Sequence, residues 1–302
     1  MTEVRIKESD LDSLKNQVVV ITGGSSGIGL ATVQLLLKLG AKVVVGDINP
    51  PPEPEAAHVT FLKTDVASFA EQSALFKRAL EVHGVINHVF ANAGVAKTTS
   101  LLDDELDDDG NLKAPDLITY NVNLIGCMYT TRLGVFYLKK NPKGGSIVVT
   151  GSASSYQGFS VVDYCTAKHG VLGLTRSVTA HLPPTLNIRI NCLAPDWTDT
   201  SLVRGVDFHL LGVPVQNSKA VALSAALCMA DGTRKGQVIY SREGRYTELE
   251  SGYRPWLVKQ TGGDTMFEFE EAMGRLLMKG KEAADAEAGA EGGVRVVEDG
   301  GI

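Results

Sequence analysis

Tyr164 and Lys168 stand four residues apart in the run Tyr164-Cys165-Thr166-Ala167-Lys168, which places a phenol and an ammonium on one face of a helix. A free phenol ionises near pH ~10, too high for a base at neutrality. A cation held beside it favours the phenolate, so the pair is suited to taking and returning a proton. Alone, the spacing is common on helix surfaces. A second cluster, Thr22-Gly23-Gly24-Ser25-Ser26-Gly27-Ile28-Gly29, follows the apolar run Val18–Thr22 and opens a segment of helical period, Ile28–Leu39. Glycines at such a junction permit a tight turn, close approach of backbone to a pyrophosphate, and close packing of helix on strand. Asp47 ends the next β-branched run. Its carboxylate would accept hydrogen bonds from a ribose 2′-hydroxyl and repel a 2′-phosphate. No Arg or Lys lies in the glycine loop or directly after Asp47, so NAD is expected over NADP. The rival reading makes Asp47 a solvated turn residue before Asn49-Pro50-Pro51-Pro52.

These residues need a scaffold, and the rest of the chain describes one. Val18–Thr22, Lys42–Gly46, Phe61–Leu62 leading to Asp65, Val85–Ala91, Ser146–Thr150, Ile188–Leu193 and Gln237–Tyr240 read as strands. Ile28–Leu39, Ser68–Val82, Asp116–Leu138, Asp163–His181 and Ser218–Ala230 read as helices. Strands apolar on both faces and separated by helices imply a mostly parallel sheet covered on both sides. The expected fold is α/β, a Rossmann-like doubly wound parallel sheet of about seven strands with helices on both faces, plus a C-terminal extension. Its ligand site lies beyond the carboxyl ends of the strands.

Residues 1–251 read as a single domain and 252–302 as an extension, because the sheet pattern stops beyond Gly252. Asp264–Lys279 is compatible with an amphipathic helix, and the Ala/Glu/Gly-rich Lys281–Gly293 with a mobile segment. Val294–Ile302 is compatible with an edge strand or with disorder. Leu101–Asn111 holds six acidic residues and a Gly-Asn pair, as expected of a solvated loop or helix end.

Composition narrows the partners. A formal net charge of -6 argues against a nucleic-acid or anionic-membrane surface, though backbone amides can hold a phosphate without basic side chains. The first fifteen residues are charged throughout and lack a signal peptide's apolar stretch. No run approaches the ~20 apolar residues of a membrane span. Cys127, Cys165, Cys192 and Cys228 show no paired spacing, and the six histidines show no metal-ligand spacing. Free thiols in a reducing compartment and no metal are expected, with the cytosol as the default location.

With these elements in order, the chain resembles the short-chain dehydrogenase/reductase family in its compact branch. The resemblance rests on Thr22 to Gly29, Asp65-Val66 after the third strand and Asn92-Ala93-Gly94 after the fourth. It continues with Val122-Asn123-Leu124-Ile125-Gly126 in the long helix and Ser152 after the fifth strand. Tyr164/Lys168 and Asn191-Cys192-Leu193-Ala194-Pro195 complete it. It covers roughly residues 16 to 242.

The resemblance implies an oxidoreductase that moves a hydride between a nicotinamide and an alcohol or ketone carbon. Tyr164 would be the acid/base, Ser152 would bind and polarise the substrate oxygen, and Lys168 would hold the nicotinamide ribose. Asn123 would shape a helix bend and hold a water linking Lys168 to solvent. In the cofactor site, Gly23, Ser25, Ser26, Gly27, Ile28 and Gly29 would carry the pyrophosphate, and Asp65 with Val66 the adenine. Asn92, Ala93 and Gly94 would support the sheet beside the cofactor. Thr200 would bind the carboxamide, helped by Pro195, Trp197 and Thr198. One position departs from the family pattern: Asp196 stands where Pro195 is usually followed by glycine, and it is expected to bring a carboxylate near the nicotinamide and to narrow the local backbone.

The expected substrate wall is Ala96, Ser154, Gln157, Val162 and Trp197, with Ser201–Val215, including Phe208, as a lid. It is mostly apolar and holds no basic cluster, which suits a hydrophobic secondary alcohol or ketone. The family's habit of pairing through two long helices implies a homodimer or homotetramer. Two rivals remain: an NADP-dependent ketone reductase of the same fold, which Asp47 opposes, and a nucleotide sensor, which would be expected to lose Tyr164, Lys168 or Ser152.

Overall fold

The computed structural model describes residues 1–97, 102–183, 185–203, 205, 207–261, 271–280 and 282. Two compact units divide the chain, Met1–Gly252 and Tyr253–Ile302. In chain order the strands and helices are β1 (Thr2–Val4), β2 (Val18–Thr22), α1 (Gly27–Lys38), β3 (Lys42–Asp47), β4 (Thr60–Lys63), α2 (Phe69–His83) and β5 (His88–Ala91). There follow α3 (Ile118–Tyr120), α4 (Cys127–Leu138), β6 (Gly145–Thr150), α5 (Val162–His181), β7 (Ile188–Pro195) and β8 (Thr198–Asp199). The rest are α6 (Phe208–Leu211), β9 (Gln216–Asn217), α7 (Ser218–Ala230), β10 (Val238–Arg242), β11 (Arg245–Glu248) and α8 (Glu250–Thr261).

One sheet of order β1-β11-β10-β7-β6-β5-β2-β3-β4 forms the first unit. Its run from β4 to β10 is parallel throughout. All five residues of β2 and all eight of β7 are buried, because helices cover both faces. Alternate residues serve opposite layers. Val20, Val44 and Val89 pack with Leu75 and Phe76 of α2, Leu138 of α4 and Val171 of α5. Val19, Ile21, Val43 and Val45 pack with Val33 and Leu36 of α1 and with Val221 and Ala225 of α7.

The seven parallel strands match the doubly wound sheet expected from the sequence. The two antiparallel strands at its edge are additional. β11 returns on β10 through Glu243-Gly244, both at positive φ (50° and 74°), the conformation of a two-residue type I′ hairpin. β1 then adds to β11. Strands of three and four residues are too short for an alternating pattern to be visible in sequence.

The long helix read from Asp116 begins at Ile118 and widens to π geometry over Asn121–Gly126 before continuing as α4. α2 starts at Ser68, whose hydroxyl accepts from Glu71 N at 3.3 Å, and stops at Gly84 at φ 73°. In the acidic stretch, residues 102–111 are exposed, and Asp107 Oδ1 accepts from the amides of Asp109 and Asn111. A solvated loop is what the structure has there.

In the second unit, residues 271–280 are helical, all but the last within the segment read as amphipathic. Residues 264–270, 281, 283–293 and the Val294–Ile302 stretch lie outside the described residues. Among the described residues no helix is long and apolar enough to cross a membrane.

Candidate active site

The carboxyl ends of β2, β3, β5, β6 and β7 lie along one edge of the sheet, and the singled-out residues fall on the loops that leave them. Parallel pairing alone imposes this, since every crossover helix starts from the same edge.

The glycine loop is shaped by contacts that exclude side chains. Gly23 sits at φ 70°, and a Cβ there would lie 2.6 Å from Ala93 Cα. A Cβ on Gly29 would run into the Gly23 carbonyl. Gly27, at φ 51°, faces Thr200, whose Cγ2 would lie 3.1 Å from its Cβ. Ser26 has extended backbone but no side-chain cap bond to α1, so the first-turn amides of Gly27, Ile28 and Gly29 are not satisfied by a side-chain cap. Such amides, with the helix dipole behind them, suit phosphate oxygens.

Asp47 closes the end of β3. Its Oδ2 accepts from Ser25 N at 3.0 Å and Oδ1 from Asn49 N at 3.1 Å. Each oxygen retains a lone pair for a further donor. Asp65 is exposed, and its Oδ1 accepts from Ala67 N at 2.9 Å. Both the helix-entry reading and an adenine contact are compatible with that placement. Val66 is buried beside it, against Gly126.

Asn92 locks the loop to the sheet. Its Nδ2 donates to Gly23 O at 2.9 Å, while Oδ1 accepts from Thr150 Oγ1 at 3.1 Å. Gly94 faces Asn123 Oδ1, which would lie 3.3 Å from an added Cβ. The Asn123 amide exchanges two bonds with Val95, accepting from its N at 2.8 Å and donating to its O at 2.9 Å. It lies within the π segment, so the bend expected at Asn123 is a widening of the helix.

Tyr164 and Lys168 both sit on α5. Lys168 is 3% exposed, and its Nζ donates to Thr150 O at 2.7 Å and lies 5.6 Å from the centroid of the Tyr164 ring. Tyr164 is half-buried, with its amide bound to Asp163 Oδ1. Ser152 is buried and caps the short 3-10 turn Ala153–Ser155, accepting from Ser154 N at 3.1 Å. That bond leaves the hydroxyl proton free to donate. Ser155 joins the two segments: its Oγ accepts from Ser152 N at 3.2 Å and donates to Lys168 O at 2.8 Å.

Of the residues expected to wall the substrate, Gln157, Val162 and Ala96 are exposed and Ser154 is half-buried. Phe208 and Trp197 meet at 5.1 Å between ring centroids. Phe159, which the sequence reading did not single out, lies 5.5 Å from Trp197 in an edge-to-face arrangement. Phe208 and Thr200 line a cavity of about 520 Å³ whose other wall includes Ser25, Ser26 and Gly27. Asp196 Oδ2 accepts from Tyr240 OH at 2.9 Å.

Thr150, Ser155 and Phe159 are the functional candidates that sequence reasoning missed. Thr150 acts through a main-chain carbonyl, which has no residue signature. The four cysteines are buried and free. Burial pushes the Cys127 thiol up to about 11 and those of Cys192 and Cys228 up to about 12, which keeps them protonated and inert. Among the described residues no group of His, Cys, Asp or Glu could hold a metal ion.

The family model for short chain dehydrogenase matches residues 17–208. The chain belongs to this family. A short-chain dehydrogenase/reductase, ascJ of Acremonium egyptiacum, is 46% identical over 258 residues, covering 83% of this chain and 86% of the relative. The (+)-borneol dehydrogenase 1 of Salvia officinalis is 29% identical over 253 residues, covering 80% of this chain and 94% of the relative.

 Among solved structures, the 3-ketoacyl-(acyl-carrier-protein) reductase from Brucella melitensis complexed with NADH superposes with a TM-score of 0.67 at 23% identity. That match covers 77% of this chain and 99% of the other, and it speaks for the fold alone.

This short-chain dehydrogenase is thus an oxidoreductase acting on CH–OH groups, and its fold implies a nicotinamide cofactor. The residues present fit such a group: the glycine cradle has no room for side chains, α1 begins without a side-chain cap, and Asp47 retains acceptor capacity toward a ribose.

Proposed function

We propose that this chain is an NAD-dependent dehydrogenase that interconverts a hydrophobic secondary alcohol and its ketone, with Tyr164 as acid and base. One observation carries the reading. A buried ammonium at Lys168 Nζ has a main-chain carbonyl as its hydrogen-bond partner and the Tyr164 ring as its aromatic neighbour. A buried cation is costly unless a negative group compensates it, and a phenolate at Tyr164 is the group placed to do so.

Bound nicotinamide supplies the two-electron hydride acceptor at the carboxyl edge of the sheet. Ser152 Oγ donates to the substrate oxygen and holds it against Tyr164. In oxidation Tyr164 takes the hydroxyl proton, and in reduction it returns one. Lys168 Nζ stays beside the phenol, held by the Thr150 carbonyl. Asn123 holds the π segment and Val95 in the shape that leaves room for the pair. Gly23, Ser25, Ser26, Gly27, Ile28 and Gly29 would hold the pyrophosphate, and Asp65 and Val66 the adenine. Asn92, Ala93, Gly94, Pro195, Trp197, Thr198 and Thr200 would border the nicotinamide half.

Asp47 supports NAD. Its oxygens face the Ser25 and Asn49 amides, and a 2′-phosphate beside them would meet a carboxylate. The substrate reading rests on the aromatic and apolar surroundings of the site, Phe159, Trp197, Phe208 and Val162, and oxidation is the direction that NAD use favours.

The test is to titrate the purified protein with NAD and with NADP, then to follow NADH formation with hydrophobic secondary alcohols, with Tyr164→Phe alongside. NAD binding with turnover lost in the variant is the expected result. Tight NADP binding with negligible NAD binding would overturn the cofactor assignment and favour a reductase.

A further inference from the structure

Every polar atom of Asp196 is engaged. The carboxylate spans two groups, with Oδ1 accepting from the Trp197 amide at 2.9 Å and Oδ2 from the Tyr240 hydroxyl at 2.9 Å. Oδ2 also lies 3.5 Å from Arg242 Nε. The Asp196 amide donates to Ser241 O at 2.9 Å, and its carbonyl accepts from Thr198 Oγ1 at 2.7 Å. Tyr240 and Arg242 belong to β10, which pairs in parallel with β7, so the brace stands on the sheet. Burial and the Asp196 carboxylate raise the Tyr240 pKa, which keeps that phenol a donor.

What this brace holds is Trp197. The indole packs edge-to-face on Phe159 and tilted on Phe208, at 5.5 and 5.1 Å between centroids. These three rings come from three separate segments. Phe159 precedes Tyr164, and its carbonyl lies 3.5 Å from Cys165 Sγ, while Phe208 belongs to α6. Trp197 is the member common to both ring pairs. Phe159 is 48% exposed, so part of its face is open to an apolar ligand.

We propose that Asp196 is a positioning residue: braced by Tyr240 and Arg242, it fixes Trp197 as the centre of an aromatic wall with Phe159 and Phe208, and this wall selects flat, ring-bearing apolar alcohols. The substrate half of the proposal rests on the dehydrogenase reading; the brace itself does not. The neighbouring Thr198 has a second anchor. It pairs with Gln216, whose amide donates to Trp197 O at 2.9 Å and whose Nε2 lies 3.3 Å from Thr198 Oγ1. Removing the Asp196 carboxylate therefore frees the amide side of Trp197 while the cofactor side of the loop stays held.

The chain has two tryptophans, so Trp256→Phe leaves Trp197 as the single reporter. In that background, acrylamide quenching of Trp197 is compared between the parent, Asp196→Ala and Tyr240→Phe; the last removes one hydroxyl and covers the case in which the alanine variant does not fold. Saturable quenching by 1-indanol in the presence of NAD is measured in each, with 2-butanol as the small aliphatic comparison. Both variants are expected to expose Trp197 and to weaken 1-indanol binding roughly fivefold to tenfold, as loss of one ordinary hydrogen bond would do. NAD affinity should stay within about twofold of the parent, less than one such bond is worth. Unchanged Trp197 accessibility overturns the brace. Unselective binding of the two alcohols, or an NAD affinity that falls in step with that for 1-indanol, overturns the wall. If the parent bound no NAD, the dehydrogenase reading would fall, while the acrylamide comparison would still decide the brace.

Discussion

Lys168 donates from Nζ to the main-chain carbonyl of Thr150 at 2.7 Å. The Thr150 hydroxyl donates in turn to Asn92 Oδ1, and Asn92 Nδ2 to Gly23 O. Ser155 extends the series on the other side, from Lys168 O to Ser152 N. One chain of hydrogen bonds thus joins the glycine loop, the fifth parallel strand of the sequence and both reactive segments. Its links are strand ends and short turns, so the geometry between cofactor loop and phenol is fixed before any ligand arrives.

Replacing either member of the reactive pair should abolish turnover while sparing the fold. Tyr164→Phe is expected to lower kcat by ~10²–10⁴, the usual worth of a positioned acid/base. Lys168→Met should cost a comparable factor, yet its melting temperature should not fall, because an apolar chain of similar volume often replaces a buried charge without loss of stability. Steady-state kinetics and thermal melts on the two variants check this. A Lys168→Met protein that kept turnover would remove Lys168 from the mechanism.

Sequence spacing revealed the parts of the site that reside in side-chain identity. Tyr164 and Lys168 stand one helical turn apart, and the glycines answer a steric demand at Gly23 and Gly29 that no other residue meets. The parallel sheet was legible because strands such as β2 are buried on both faces and carry unbroken apolar runs. Other features left no such trace. Thr150 serves Lys168 through a carbonyl that every residue owns. Phe159 meets Trp197 only after the chain has turned back on itself. Asp196 was placed near the nicotinamide because sequence gives a position on a loop without the side chain's direction, and Tyr240 and Arg242 decide that direction from another strand.

Asp47 should govern cofactor choice and loop order together. Asp47→Ser removes the charge that a 2′-phosphate would meet, and it also removes the acceptor of the Ser25 amide. NAD affinity is expected to fall roughly tenfold, in line with loss of a charge-assisted bond, and discrimination against NADP should shrink. Titration of both nucleotides with the variant measures each effect. An unchanged NAD/NADP ratio would show that selectivity lies outside Asp47.

Ser155→Ala tests whether the bridge between Ser152 and Lys168 matters to catalysis. The residue is 1% exposed, and its removal takes the Ser155 Oγ acceptor from the Ser152 amide, a loss of about 1–3 kcal/mol for a buried donor. The expected result is a kcat lower by roughly tenfold, with a smaller change in NAD affinity, since Ser155 bonds the Ser152 amide and the Lys168 carbonyl and not a residue of the glycine loop. Comparing kcat with the NAD dissociation constant separates this from a general loosening of the fold.

His88 should make the fold sensitive to acid. It is buried at the amino end of β5, with Nδ1 2.8 Å from Ser146 Oγ. Burial first, and then the Arg189 charge, lower its pKa from 6.5 to about 3. The unfolded chain protonates this imidazole as pH falls through 6.5, while the folded protein keeps it neutral until about 3. Unfolding therefore takes up a proton in that window, and stability declines as pH is lowered. Above the window the group contributes no pH dependence. His88→Asn keeps a hydrogen-bonding partner for Ser146 and removes the titration. Between pH ~6.5 and ~5 the parent should lose roughly 1–2 kcal/mol more than the variant, the linkage worth of a proton that is half bound to the unfolded chain at the upper end of that interval. Urea unfolding at the two pH values measures the difference, and parallel losses in both proteins would mean that His88 is already solvated in the native state.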